Sequence, residues 1–209
     1  MPRTGLGLMA KFPTRGLAKT RLAADVGDEE ALQVYRRLLR RTLRTVTALD
    51  REEFHVASFV TPSDKLRKFA DRFPGCDSYL AQSGGDLGHR MAQSLEELLE
   101  IKGVDQAILI GADIPEISPE LLITAAERLR RNDLVLGPTE DGGYYLIGMR
   151  RVHSELFDQI PWGTKRVLGH TLDVARRSNL DVSLLDVLRD LDDADDLEHF
   201  LKIGMIDDG

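Results

Sequence analysis

The sequence predicts an α/β protein of three layers, a mostly parallel sheet with helices on both faces. Two observations carry that expectation. Short apolar runs alternate with helical patterns along the whole chain, an order that builds a parallel sheet with crossover helices. No internal repeat, low-complexity tract or linker breaks the alternation, so residues 1–209 are expected to form one domain. With 42% hydrophobic residues the chain is able to build a full core.

Residues 5–10 are apolar and are expected as the first strand. Lys11, Arg15, Lys19 and Arg21 crowd the connection that leaves it, where Pro13 and Gly16 break regular structure. A cationic loop at the C-terminal end of a first strand is where open α/β sheets bind phosphorylated ligands. Gly16 lets backbone approach a ligand, while Lys and Arg supply charge and donors to phosphate oxygens. A solvated basic turn is the alternative reading. The loop is not a Walker A loop, because Ala18 stands before Lys19-Thr20 where that motif needs glycine.

A helical pattern begins near Asp28, whose acidic neighbours Glu29 and Glu30 suit a helix N-terminus. Leu32, Tyr35, Leu39, Leu43, Val46 and Leu49 recur at amphipathic spacing, and arginines fill the other side. Residues 54–60 read as the second strand, followed by a helix start at Thr61-Pro62-Ser63-Asp64. Residues 78–81 read as a short strand ending in a glycine-rich loop. Gly84, Gly85 and Asp86 there suggest a backbone cradle, and a helix is expected from about residue 91 to 101.

Residues 105–111 are the strongest strand, ending at Asp113-Ile-Pro. Ser118, Pro119 and Glu120 open the next helix. Residues 134–137 form another strand, and Glu140-Asp141-Gly142-Gly143 make a turn that runs into a further strand. Pro161-Trp-Gly-Thr164 precedes a helix over about residues 165–177. Residues 182–185 close the strand set, and a last short helix ends near Leu201.

Asp113 follows the most apolar strand and so faces the expected ligand crevice. Asp190 and Asp192 follow the last strand at a spacing that puts both side chains on one side of extended chain. Three carboxylates at neighbouring strand ends suit Mg²⁺, or Mn²⁺, which takes oxygen ligands. The alternative is an Asp-rich stretch, residues 186–196, in which Asp192 or Asp193 caps the last helix. Glu140, Asp141, Gly142, Gly143 and Tyr144 form a candidate acceptor edge, with an ordinary hairpin turn as the alternative. Trp162, with Thr164, either covers the site or plugs the core.

Several classes are excluded. A net charge of −7 argues against general nucleic-acid binding. The single cysteine, Cys76, allows no internal disulfide and reads as an ordinary thiol. There is no GxGxxG fingerprint, no Gly-x-Ser-x-Gly elbow and no Cys/His metal spacing. No window suits a signal peptide or a membrane span, so a cytoplasmic protein is expected.

Five motifs, in order, resemble a known group: Phe-Pro-Thr-Arg-Gly-Leu-Ala-Lys-Thr-Arg-Leu, Gly-Gly-Asp-Leu-Gly-His-Arg-Met, Ile-Gly-Ala-Asp-Ile-Pro, Glu-Asp-Gly-Gly-Tyr-Tyr-Leu-Ile-Gly and Pro-Trp-Gly-Thr. The chain resembles the bacterial glycosyltransferase-like family DUF2064, itself similar to the 2-phospholactate guanylyltransferases. That resemblance implies the GT-A, nucleotide-diphospho-sugar transferase fold. It implies a triphosphate held by Lys19 and Arg21, a base near Gly84, Gly85 and Asp86, and a metal on Asp113, Asp190 and Asp192. The function expected is metal-dependent transfer from a nucleotide-activated donor to a small acceptor, with nucleotidyl transfer from an NTP foremost. The catalytic candidates are Lys19, Arg21 and Asp113. Glycosyl transfer from an NDP-sugar is the first alternative, and a non-catalytic nucleotide-binding regulator the second.

Overall fold

A computed structural model describes residues 3–206. Seven strands form one sheet: β1 (Arg3–Lys11), β2 (Phe54–Thr61), β3 (Ser78–Ala81), β4 (Val104–Ile110), β5 (Leu134–Pro138), β6 (Tyr144–Met149) and β7 (Val182–Leu184). Their order across the sheet is β3-β2-β1-β4-β6-β5-β7. Only β6 runs against its neighbours, because it returns from β5 as a hairpin. The order reverses beside β1, between β2 and β4, and that switch point is where an open α/β sheet leaves its crevice.

Among the described residues seven α-helices accompany the sheet: α1 (Thr20–Val26), α2 (Asp28–Thr47), α3 (Leu66–Arg72), α4 (Leu87–Leu99), α5 (Pro119–Leu129), α6 (Val167–Arg177) and α7 (Ala194–Lys202). Period-two alternation in β1 separates the faces. Leu6, Leu8 and Ala10 join α2, α3 and α5 in one core layer. Phe59, Leu109, Leu136 and Ile147 pack with α4 and α6 in the other. Gly7 is needed on this second face. A Cβ there would meet Leu109 most closely and stand 2.9 Å from a Phe59 ring carbon and 3.0 Å from Leu98, so glycine leaves these side chains the room they fill beneath α4.

The expected three-layer α/β fold is therefore the observed one. The helix expected from Asp28 begins there as α2. One element and one boundary differ from the sequence reading. A short helix not expected from the sequence, α1, precedes α2 and ends at Gly27, whose φ of +86° turns the chain between them. The helix expected from residue 91 begins at Leu87, because Asp86 caps it by accepting from the His89 backbone N–H at 2.9 Å. A glycine at position 88 hides that start from a reading by apolar period. It is retained because a Cβ there would meet Trp162 Nε1 at 2.7 Å and the Phe157 carbonyl at 2.8 Å.

A third, smaller cluster decides the geometry of the site. Leu22 of α1, Ala31, Val34 and Leu38 of α2, and Leu197 and Phe200 of α7 pack around Leu191, which is fully buried. This cluster ties the first connection and the C-terminal segment to the same side of α2.

Candidate active site

A cleft of about 690 Å³ opens over the carboxyl ends of β1, β2 and β4. Lys11, Lys19 and Arg21 line it from the first connection, Asp113 from beyond β4, and Asp192 from the segment before α7. Its other wall carries Gln82, Arg90 and Met91 from the β3–α4 side, and Tyr144 from β6.

Lys19 is the focus of the charged end. Its Nζ lies 2.5 Å from Asp113 Oδ1 and 3.1 Å from Asp192 Oδ1, and only 5% of its side chain is exposed. Arg21 reaches the other oxygen of Asp192 at 3.2 Å. Burial of Lys19 favours the neutral amine, but the two carboxylates outweigh it and hold its pKa above the usual lysine value. The side chain is thus a fixed cation at neutral pH. Its backbone sits at φ 49°, ψ 52°, the left-handed region a lysine rarely adopts. Strain of this kind persists where the surrounding structure overrides it, and it clusters at functional sites.

Three contacts bring these groups together across the chain. Tyr35 of α2 brackets the backbone of Lys11, accepting from its N–H at 2.9 Å and donating to its C=O at 2.8 Å. The Leu191 backbone N–H donates to the Asp113 carbonyl at 3.0 Å. Burial of the Leu191 side chain then fixes Asp192 beside Lys19. The last helix does not use Asp192 as its cap. Asp193 takes that role in a capping box with Asp196, which frees the Asp192 carboxylate for the cleft.

Other sequence candidates are placed elsewhere. Arg15 and Gly16 lie in the exposed turn that closes the loop, outside the cleft lining. Gly84 and Gly85 are exposed and outside the cleft lining, and Asp86 caps α4 through Oδ1. In the β5–β6 turn, Asp141 accepts from the Thr139 hydroxyl at 2.5 Å and from the Gly143 N–H at 2.9 Å, so its carboxylate shapes the turn. Glu140 is exposed there. Thr164 likewise closes a local turn, donating to the Pro161 carbonyl at 2.8 Å. Trp162 packs edge-on to Tyr144 at 6.3 Å and against Gly88, joining the second core layer. Of the expected acceptor edge, Tyr144 lines the cleft and Glu140, Asp141, Gly142, Gly143, Trp162 and Thr164 do not. Sequence reading gave no role to Gln82 and Arg90; an arginine one turn into a helix, after a glycine loop, was the available signal.

Gly142 is the residue on which this turn depends. Its φ is +88°, and a Cβ would collide with the backbone carbonyl of Lys165. Gly142→Ala is expected to cost about 2 kcal/mol through strain and overpacking, read as a lower denaturation midpoint at unchanged slope.

The family model described as "Uncharacterized protein conserved in bacteria (DUF2064)" matches residues 42–164. The chain belongs to the DUF2064 family. A protein of Desulfovibrio desulfuricans G20, provisionally named a nucleotide-diphospho-sugar transferase, is 32% identical to this DUF2064 protein. The match covers 98% of this chain and 88% of that one, with a TM-score of 0.87. The 4-diphosphocytidyl-2C-methyl-D-erythritol synthase of Anaerococcus prevotii DSM 20548 shares the fold at 12% identity and a TM-score of 0.63, covering 98% and 97% of the two chains. The manganese complex of Rv0371c from Mycobacterium tuberculosis H37Rv shares it at 17% identity and 0.54, covering 97% and 99%. No curated protein matches the chain by sequence. The DUF2064 protein thus has the nucleotide-diphospho-sugar transferase fold. Among its described residues no helix is long and apolar enough to cross a membrane.

The three carboxylates expected to hold a metal are placed differently with respect to the cleft. Among the described residues no three His, Cys, Asp or Glu side chains converge. Asp190 is outside the cleft lining, and Asp141 is the foremost of the charges that act on it. Asp113 and Asp192 remain. Their oxygens are hard donors, partly open to the cleft, and the ammonium between them marks a point where cationic charge is favoured. These two carboxylates fit Mg²⁺ or Mn²⁺ with further ligands from water and substrate.

Burial, then Asp141 and Asp192, raise the Asp190 pKa from 3.8 to about 6. The folded protein holds this proton more tightly than the unfolded chain. The ionised carboxylate therefore opposes folding above about pH 6 and ceases to do so as pH falls below 3.8. Full burial would make this about 3 kcal/mol; partial exposure reduces it to about 1 kcal/mol. Asp190→Asn is expected to raise the melting temperature at pH 8, with the gain shrinking towards pH 4.5. A gain independent of pH would contradict the assignment.

Proposed function

We propose that this DUF2064 protein is a divalent-metal-dependent nucleotidyltransferase, which joins the nucleotidyl group of an NTP to a small acceptor. The observation that carries the reading is Lys19, a buried permanent cation in strained backbone, set between Asp113 and Asp192 at the mouth of a nucleotide-sized cleft.

In the reaction an acceptor oxyanion attacks the α-phosphorus in line. The new O–P bond forms as the bond from the α-phosphorus to the bridging oxygen breaks, and pyrophosphate departs with both electrons. Lys19 and Arg21 stand on one wall of the cleft to stabilise charge on the leaving group, with Lys11 beside them. Asp113 and Asp192 would hold the metal, which would supply charge neutralisation at the phosphates. Tyr144 and the apolar wall at Leu109 and Ile147 confine the acceptor and exclude water. Positioning and electrostatics suffice for transfers of this type, so no protein nucleophile is required. The fold shared with a cytidylyl-group synthase and a manganese complex supports this reading.

The provisional name of the Desulfovibrio protein favours a second reading, glycosyl transfer from an NDP-sugar. The leaving group separates the two. The protein is incubated with Mg²⁺, each NTP or NDP-sugar, and a panel of small phosphate- and carboxylate-bearing acceptors. Pyrophosphate released only when an NTP and an acceptor are both present supports nucleotidyl transfer. NDP released from a sugar nucleotide supports the second reading. Tight nucleotide binding with neither product points to a regulator and overturns both.

A further inference from the structure

Arg90 is a cation in the cleft that the proposed chemistry does not use. It projects from the first turn of α4 and lines the wall opposite the first connection. Among the described residues no carboxylate pairs with it, unlike Lys19 and Arg21. Two hydrogen bonds fix the guanidinium. Nε donates to the Asp86 carbonyl at 3.3 Å, and Nη1 donates to Gln82 Oε1 at 3.1 Å.

Gln82 is itself held from both sides. Its amide nitrogen donates to the Ala10 carbonyl at 3.2 Å and the Phe59 carbonyl at 2.9 Å, across the ends of β1 and β2. Both amide hydrogens are used, and one of the two acceptor sites on the amide oxygen is taken by Arg90. Gln82 is therefore a strut that positions Arg90, with no amide hydrogen left to donate to a ligand. Arg90 retains both Nη2 hydrogens and one on Nη1, a planar pair of donors held in a fixed direction.

The placement of that edge matters. Gln82 follows β3 and Asp113 follows β4, three strand spacings apart, about 14 Å. A nucleotide with its phosphates over Lys19 and Arg21 and its sugar across β1 and β2 brings its base to the Arg90 wall.

We propose that Arg90 selects the nucleobase by donating to two adjacent acceptors on one edge, the pattern that guanine and cytosine present and adenine and uracil do not. Guanine offers O6 and N7 side by side, and cytosine offers O2 and N3. Adenine places its amino donor beside N1 and N7 and leaves N3 as a lone acceptor beside C2–H, and uracil places N3–H between its carbonyls. A fixed two-donor fork meets a donor clash on adenine and finds one acceptor on uracil. The inference rests on the nucleotidyltransferase reading, since it takes the phosphate end of the ligand from it.

Binding of GTP, CTP, ATP and UTP, each with Mg²⁺, is measured by calorimetry on the wild type, Arg90→Lys and Arg90→Ala. The wild type is expected to bind GTP or CTP at least about tenfold tighter than ATP and UTP. If GTP is the preferred ligand, 7-deaza-GTP, which lacks N7, is expected to lose most of that advantage. Arg90→Lys keeps the charge and the stem but loses the fork. It is expected to fold at an unchanged melting temperature and bind all four within about threefold of one another. Preference for ATP or UTP in the wild type overturns the proposal, as does a preference that survives in Arg90→Lys. An equal loss for all four nucleotides in Arg90→Ala makes Arg90 a phosphate contact and also overturns it. Binding without base preference sinks this inference alone, whereas no binding of any nucleotide sinks the function reading together with it.

Discussion

Lys19→Met is expected to lower transferase turnover by about 10²–10³-fold, the usual cost of removing one preorganised charge at a phosphoryl-type transition state. Methionine keeps an unbranched stem of similar length, so the apolar part of the pocket stays filled. The fold is expected to survive because Asp113 and Asp192 have side chains 48% and 36% exposed, and water solvates them once the ammonium is gone. The result should appear in kcat measured beside an unchanged circular dichroism spectrum. Lys19→Arg is expected to recover little, since a fork of five donors does not reproduce one point charge between two carboxylates. The pH profile gives an independent check. The folded-state pKa of Lys19 lies above its ordinary value, so its charge and the stability it contributes are present below about pH 10.4 and are lost only as pH rises through the folded value. Turnover should therefore show no inflection from this lysine between pH 6 and 9. A basic limb in that range that vanishes in Lys19→Met would show an uncharged lysine acting as a base, and would overturn its role as a fixed cation.

Leu191→Ala is expected to cost about 3 kcal/mol of stability, the ordinary consequence of emptying a fully buried leucine site. The effect on activity should exceed what a merely less stable protein would show. Leu191 anchors the segment whose backbone bonds to Asp113 and whose next residue pairs with Lys19 and Arg21. Loosening it lets the Asp192 carboxylate leave the cleft while the sheet stays intact. Urea titration measures the first effect, and turnover well below the melting temperature measures the second. Wild-type turnover in a destabilised Leu191→Ala protein would show that Asp192 needs no anchor.

Most of the architecture was legible in the chain. Period-two apolar runs and amphipathic spacing are local properties, and every strand expected from them is present. The start of α4 went astray through glycine. Gly88 lies inside α4 because Trp162 occupies the space above it, and no local pattern announces a residue seventy-four positions away. The same limit applies to the acceptor edge. Asp141 read as a substrate-facing acid, and the hydroxyl and amide that hold its Oδ1 belong to its own turn, outside the cleft lining.

By itself, the sequence determined the fold class, the cationic first connection, and the strand-end position of Asp113. Each of these follows from residue type at short range. Only the tertiary structure decided which of the late aspartates lines the cleft. Asp190, Asp192 and Asp193 are near neighbours of one chemical type, and nothing local tells them apart. Burial of Leu191 among α1, α2 and α7 sends Asp192 to Lys19, the capping box takes Asp193, and Asp190 is left among acids that raise its pKa. The partition is set by packing between segments some 170 residues apart, and long-range packing of that kind leaves no periodic signal in the chain.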